Sequence, residues 1–363
     1  LRAPRPRHIL IDVGHPADLH RFRHLTTALR EKGWNCLVVA KDKDVLLPLL
    51  NAFELPYTVL AANKGGVVSK LLNLPATLCR FYRVARRFRP AMVVSSASPH
   101  CSWICALLRI PHLAFIDTEP RKLVDALTLP LLQGRITPFS YRRDLGADHI
   151  RYAGNHELAY LHPRRFQPDP AILKVLGLAV DEPFVLVRFV AWKASHDIGL
   201  PHMNEAERLE LVRLIASSKR LFITSETLLP EPFHHWLFPL PPEQIHHALA
   251  FADLYIGEGI TMASEAAVLG TPAVLLNSLR MGYCQEAEEK GMLFSFPALT
   301  AGARQKIGEL LEMPDIRAAF TAKHQAFLAD KIDVTAFMTW FIDCYPDSLA
   351  RMREDPGYAG RFA

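Results

Sequence analysis

The sequence predicts an α/β protein of two domains, each a parallel sheet with helices on both faces. Three observations predict it. The chain has 363 residues, enough for two domains of ordinary size, with half of them apolar and 22% charged. Apolar runs of strand length alternate with helix-length segments from His8 onward, the βαβα order of a parallel sheet. Asp253 to Asn277, DLYIGEGITMASEAAVLGTPAVLLN, is a complete strand–loop–helix–strand unit.

In the first half, His8 to Val13 reads as a strand broken by Gly14-His15-Pro16. Asp18 is placed to cap a helix running to about Lys32. Asn35 to Ala40 is a second strand and Asp42 to Asn51 a second helix. After the Lys64-Gly65-Gly66 loop, Val67 to Arg89 reads as a long helix bent at Pro75. Ala91 to Ser95 is a strand, Ser95-Ser96-Ala97-Ser98 a turn and Pro99 to Leu108 a helix. The strand His112 to Ile116 ends in Asp117-Thr118-Glu119-Pro120, and Ile136 to Ser140 and Ile150 to Tyr152 complete the domain. Gly154 to Pro170, with three prolines, reads as the linker. Sites in such sheets lie outside the carboxyl ends of the strands. That rule singles out His15, Asp117 and Glu119 as acid–base candidates.

In the second half, Phe184 to Phe189 is the first strand, followed by a polar loop from Val190 to Gly199. Arg188 and Lys193 offer positive charge to a phosphate, and His196 beside Asp197 is a further catalytic candidate. Glu205 to Ser218 is an amphipathic helix, and Leu221 to Thr224 a strand ending in Ser225-Glu226. Pro241-Pro242-Glu243 starts a helix through Ala250. In the unit named first, Leu254 to Ile256 is a strand, Gly257-Glu258-Gly259 a turn, and Thr261 the cap of a helix from Met262 to Leu269. The glycines let the backbone approach a ligand, and the helix start points N–H groups at an anion. Glu265, one turn in, reaches back to accept hydrogen bonds from a ribose diol. A turn before a packing helix explains the glycines but not an acid inside so small and apolar a run. The expected nucleotide set is Arg188, Lys193, Ser225, Gly257, Glu258, Gly259, Thr261, Met262 and Glu265. Gly282 to Lys290 and Ala303 to Leu311 are further helices, and Asp333 to Cys344 is a terminal helix rich in aromatics. The expected limits are 1–160 and 161–335 for the domains, with 336–363 packing back on the first.

The net charge of +5 hides an asymmetry: residues 1–160 hold 23 Lys/Arg against 12 Asp/Glu, and the remainder 19 against 25. Arg80-Phe-Tyr-Arg-Val-Ala-Arg-Arg-Phe-Arg89 concentrates the positive charge with aromatics interleaved. A solvated basic face is one reading, and an anionic membrane or a lipid-linked acceptor the other. No nucleic-acid motif accompanies it, so nucleic acid is not an expected partner. No apolar run approaches the ~20 residues of a membrane span. The basic, proline-rich start does not read as a secretory leader. Six scattered cysteines without zinc spacing read as reduced and buried, as in a cytoplasmic protein.

Asp12-Val-Gly-His-Pro-Ala-Asp-Leu-His20, Arg188-Phe-Val-Ala-Trp-Lys-Ala-Ser-His-Asp197 and Pro242 to Pro272 together resemble an uncharacterised bacterial and archaeal family of the GT-B superfamily, over nearly the whole chain. The Asp253–Asn277 unit is similar to the nucleotide-binding segment of the lipid II N-acetylglucosaminyltransferase and of the non-hydrolysing UDP-N-acetylglucosamine 2-epimerases. The resemblance implies two Rossmann-like domains facing a central cleft, with the nucleotide sugar on the second and the acceptor on the first. The epimerases carry Gly-Asp-Thr near Ser95-Ser96-Ala97, His-Val-Glu-Ala-Gly near Phe115 to Glu119, and Thr-His-Arg-x-Glu-Asn where this chain has only Ser195-His196-Asp197. One expected acid is absent and another displaced, which favours glycosyl transfer over epimerisation. The expectation is therefore a metal- and cofactor-independent glycosyltransferase of cell-surface polysaccharide synthesis. It would use a nucleotide sugar, UDP-linked, in the cytoplasm or at the inner face of the membrane. A 2-epimerase-like enzyme is the alternative, and a non-catalytic nucleotide-sugar-binding protein a third reading.

Overall fold

A computed structural model of the chain describes residues 7–62, 67–146, 148–191 and 202–363, and side chains within these except at 61–72. Lys64-Gly65-Gly66, Lys193 and His196 fall outside the described residues. The chain forms two compact units, one of Leu1–Arg165 with Lys331–Ala363, the other of Phe166–Asp330. Among the described residues no helix is long and apolar enough to cross a membrane.

The first unit is a parallel sheet of β1 (His8–Val13), β2 (Asn35–Asp42), β3 (Tyr57–Ala62), β4 (Met92–Ser95), β5 (His112–Phe115), β6 (Gly134–Pro138) and β7 (His149–Tyr152). The order is β3-β2-β1-β4-β5-β6-β7, so the chain reverses direction across the sheet between β1 and β4. Ile9, Leu10, Ile11, Val93, Val94, Leu113, Ala114 and Phe115 are fully buried, as a sheet covered on both faces demands. Residues 57–62 were not anticipated as a strand: Tyr57-Thr-Val-Leu-Ala-Ala62 shows no clean alternation, and pairing with β2, with a register shift at Ala40/Lys41, decides its conformation.

Gly154 to Arg165 is not a linker. Leu158–Leu161 is a short helix whose four residues are all buried, and its Ala159 carbonyl accepts from Thr335 Oγ1 at 2.6 Å. Glycine, asparagine and proline suggested a loop, but burial of Leu-Ala-Tyr-Leu outweighs composition. The C-terminal helix Val334–Asp343 belongs to this unit as well. Asp333 caps it and pairs with Arg165 at 2.7 Å, and Asp343 accepts from Trp34 Nε1 at 2.9 Å.

The second unit holds β8 (Phe184–Phe189), β9 (Arg220–Ser225), β10 (Leu254–Gly257), β11 (Ala273–Leu276) and β12 (Leu293–Phe296). All are parallel, in the order β12-β11-β10-β8-β9, so the reversal falls between β8 and β10. Helix Ile260–Leu269 joins β10 to β11 and ends at Gly270, whose φ of +93° suits a residue without a Cβ. Of the six cysteines, all free, Cys79 and Cys344 are exposed, contrary to the expectation that all are buried.

Candidate functional site

In an open parallel sheet, the loops leaving two strands that run to opposite sides create a crevice at their carboxyl ends. Each unit has one such place, and the described residues singled out from sequence lie around them.

In the first unit the crevice lies beyond β1 and β4. His15 is the N-cap of helix Pro16–Glu31, in place of the expected Asp18: its Nδ1 accepts from Ala17 N at 3.2 Å. Asp18 instead turns back to accept from Gly14 N at 3.2 Å. A neutral imidazole accepting at Nδ1 carries its proton on Nε2. As placed, His15 therefore carries a donor at Nε2 rather than the lone pair a general base needs.

Asp117 is not an open carboxylate either. Arg21, buried on the first helix, bonds Asp117 Oδ2 at 2.8 Å through Nη2, and through Nη1 reaches Ser96 Oγ and Phe115 O, each at 3.0 Å. Ser96 Oγ donates to Asp18, and His156 Nδ1 lies 2.9 Å from Asp117 Oδ2. Burial pushes the Asp117 carboxyl up, but Arg21 and His156 more than offset this and hold it below the usual carboxylate range. A group held ionised in this way is a poor proton acceptor. Glu119 is half-buried and accepts from Arg142 N at 3.0 Å.

Beneath this network lies a second. Buried Asp12, the penultimate residue of β1, accepts from Ser98 Oγ at 2.6 Å and pairs with His100 Nε2 at 3.0 Å. Cys101 brings its sulfur within 4.8 Å of both groups, the one such cluster among the described residues with metal-ligand potential. Its thiol is pushed well up by burial and by Asp12, so it stays protonated and fits a packed core better than a metal site. Ala97, in the turn after β4, takes φ +60°, and Arg121 holds that turn through the carbonyls of Ser96 and Ala97 at 2.7 and 3.0 Å.

In the second unit the crevice lies beyond β8 and β10. Gly257 and Gly259 are there, but for packing. A Cβ on Gly257 would lie 2.5 Å from the Arg188 carbonyl oxygen, and one on Gly259 3.0 Å from Arg188 Cγ. Close packing against Arg188 by itself requires glycine at both positions. Glu258 is also structural. Buried, it pairs with Arg208 at 2.7 Å and accepts from Val190 N at 3.1 Å and Met203 N at 3.3 Å, tying down both described flanks of residues 192–201. Arg188 pairs with Glu226 at 3.0 Å, and Glu226 also accepts from Ala191 N at 3.1 Å. Ser225 Oγ accepts from Thr227 N at 3.2 Å.

The helix begins at Ile260 with Gly259 as N-cap and no side-chain cap bond, so Thr261 is an early helical residue rather than the cap. Its first turn, with half-buried Thr261 and Met262, keeps the N–H-rich end that attracts anions. Glu265 is buried and accepts from, or pairs with, His246 Nε2 at 2.9 Å, the imidazole coming from helix Ile245–Phe251.

Four participants escaped the sequence: Arg21, His156, Arg208 and His246. Arg21 stands three residues after Asp18 among Leu19, Phe22 and Leu25, a charge inside a buried face, which is the signal that could have found it. His246 likewise lies on the buried face of its helix with Leu249. Nothing local marks His156, whose role depends on where residues 154–157 fold back.

Two parallel-sheet Rossmann-like units of five and seven strands define a fold of the GT-B class. Residues 7–281 match the family described as "Protein of unknown function (DUF354)", and the chain belongs to that family. It is 23% identical over 280 residues to the uncharacterized protein MJ0665 of Methanocaldococcus jannaschii, across 73% of this chain and 80% of that protein. The fold is similar to that of the S. aureus protein MnaA solved with UDP, with a TM-score of 0.66, 14% identity and coverage of 94% of this chain and 97% of that one. It is also similar to the UDP-GlcNAc 2-epimerase of Neisseria meningitidis bound to UDP-GlcNAc (0.58, 14%, 92% and 99%) and to the spinosyn rhamnosyltransferase SpnG (0.59, 15%, 92% and 98%).

Proposed function

We propose that the protein is a glycosyltransferase that moves a sugar from a nucleotide sugar, UDP-linked, to a glycan or lipid-linked acceptor. One observation carries the reading: the start of helix Ile260–Leu269 has no side-chain cap, and a buried acid, Glu265, is held by His246 within its second turn. A diphosphate suits the helix start, and an oriented carboxylate suits a ribose diol. Similarity of fold to proteins solved with UDP or UDP-GlcNAc supports the same class of ligand.

In this scheme the second unit binds the nucleotide sugar, with Arg188 on the side of its phosphates and Ser225, Thr261 and Met262 lining it. The first unit supplies the acceptor side. Glu119 is the better base of the two acids, since Asp117 is held ionised by Arg21. His15 contributes its Nε2–H as a donor. The departing diphosphate is met by N–H groups and cations, so the scheme calls for no metal. Epimerisation requires acids that remove and return a proton, and the pairing of Asp117 works against that.

A 2-epimerase-like activity is the second reading, supported by a TM-score to the UDP-GlcNAc 2-epimerase of Neisseria meningitidis (0.58) level with that to the rhamnosyltransferase (0.59). Incubation with UDP-N-acetylglucosamine alone, followed by proton NMR, separates them. A transferase gives at most slow hydrolysis to UDP and free sugar. A second sugar nucleotide appearing without acceptor would replace transfer by epimerisation, and UDP-sugar binding without turnover would leave a non-catalytic binder.

A further inference from the structure

We propose that the outer face of the helix layer formed by Val67–Phe88, Pro99–Leu108 and Lys122–Thr128 docks on an anionic lipid surface. Leu107, Leu123 and Leu127 are 68%, 76% and 48% exposed, and Ala106, Ala126 and Pro130 are exposed beside them in sequence. The two helices that carry the leucines, Pro99–Leu108 and Lys122–Thr128, adjoin and make one ridge of the layer. Trp103 lies one helical turn before Leu107, and its Nε1 donates to the Leu127 carbonyl at 3.1 Å, while Leu123 and Leu127 are a turn apart on their own helix. Other exposed large apolar residues, such as Val45, Val175, Val180 and Leu228, are scattered over separate elements. A group of exposed leucines on adjoining helices is a docking feature, whereas scattered ones are ordinary.

The described exposed charges on these helices and at their ends are all basic. Helix Val67–Phe88 packs Phe81 and Ala85 against Cys101, Ile104 and Cys105 of the neighbouring helix, and its Tyr82, Arg83, Arg86 and Arg87 are exposed. Arg89, Arg109 and Lys122, at the ends of these helices, are exposed too. The only acid in the three helices, Asp125, is buried against Arg121 and Arg143. Arg83, Arg86 and Arg87 have no acidic partner among the described residues. Anionic head groups meet the arginines while the leucines and Trp103 enter the head-group boundary. Nucleic acid would satisfy the charge but not the leucines. A second copy of the same face would set arginines against arginines.

The inference does not depend on the nucleotide reading. The test is co-sedimentation of the full chain with vesicles of phosphatidylcholine, with and without phosphatidylglycerol, at low and high salt. Binding is expected only with the anionic lipid, and to weaken with salt. Replacing Arg83, Arg86 and Arg87 together by Gln should lower partitioning roughly a hundredfold. Leu123→Ser with Leu127→Ser should lower it at least about tenfold. Both variants alter exposed side chains, so the thermal midpoint should stay at the wild-type value and separate lost binding from lost folding. Equal sedimentation with neutral and anionic vesicles, none with either, or unchanged binding by the folded variants overturns the proposal. So does a wild-type dimer that the leucine variant converts to monomer in size-exclusion chromatography without any vesicle binding, or binding to duplex RNA in place of vesicles.

Discussion

At the reversal point of the first sheet, Asp18, Ser96, Arg21, Asp117 and His156 are linked side chain to side chain, with Asp12, Ser98 and His100 in a second layer. At the reversal point of the second sheet the described charges form two separate groups, Glu258 with Arg208 and two backbone N–H groups, and Glu226 with Arg188 and Ala191 N, beside the glycine that leads into a helix start. The first edge joins its charges in one network, with His15 and Glu119 at its margin. The second keeps its pairs apart, with Glu265 held by His246 inside the helix. Residue type alone would have ranked Asp117 and Glu258 as chemistry. Their partners make them supports for the groups beside them.

The comparison breaks most visibly if the supports are removed. Asp117→Ala leaves Arg21 buried without its closest carboxylate and should destabilise the first unit by about 3–5 kcal/mol, measured by urea unfolding. Glu258→Ala, which abandons Arg208 and two N–H groups, should act on the second unit to a similar degree. A loss below about 1 kcal/mol for either would mean that the partner is solvated and the support idle.

Catalytic variants sharpen the margin of the first edge. Glu119→Gln should cut transfer by about 10²–10⁴-fold with UDP affinity unchanged, the range for loss of a general base. His15→Ala should also slow transfer, through loss of a donor. If Glu119→Gln retains full turnover while Asp117→Asn abolishes it in a folded protein, the roles of the two acids are the reverse of those given.

Acid should strike the first unit early. Burial lowers His112 to about 3, and burial with Arg23 lowers His24 to about 4, against about 6.5 in an unfolded chain. Below pH ~6.5 the unfolded state binds these protons first, so stability falls as pH drops from there toward about 3. The depressed Asp117 and Asp12 act in a lower window: their stabilisation is complete above the unfolded value near 3.9 and is lost as pH falls further. Urea midpoints between about pH 7.5 and about pH 4.5 should therefore decline in wild type and less steeply in His112→Gln. Equal slopes would show that His112 is protonated in the folded state. A smaller effect probes the second edge: Gly257→Ala forces a Cβ against the Arg188 carbonyl and should cost about 1–3 kcal/mol in urea unfolding.

Much of this was legible in the sequence where periodicity is strong. His8–Val13, Phe184–Phe189, Ala273–Leu276 and the helix Val67–Phe88 lie where apolar runs and glycine or proline breaks put them. What escaped depends on distant partners. Tyr57–Ala62 becomes a strand because β2 offers its edge, and Leu158–Leu161 is core because the C-terminal helix covers it. Asp18 and Thr261 have good capping chemistry, yet His15 and Gly259 occupy the positions one turn or less before them. In the site, Glu265 stood out because an acid in an apolar helix needs a reason. His246, 19 residues earlier, could be matched to it only in three dimensions.

The central claim is that nucleotide binds at the start of helix Ile260–Leu269 with Glu265 as a ligand. Isothermal calorimetry of UDP with wild type and Glu265→Ala tests it most directly, alongside thermal unfolding to confirm that both are folded. The account predicts UDP binding by wild type and a loss of about 1–3 kcal/mol in the variant, the scale of hydrogen bonds to a charged group. Unchanged UDP affinity in folded Glu265→Ala would contradict it.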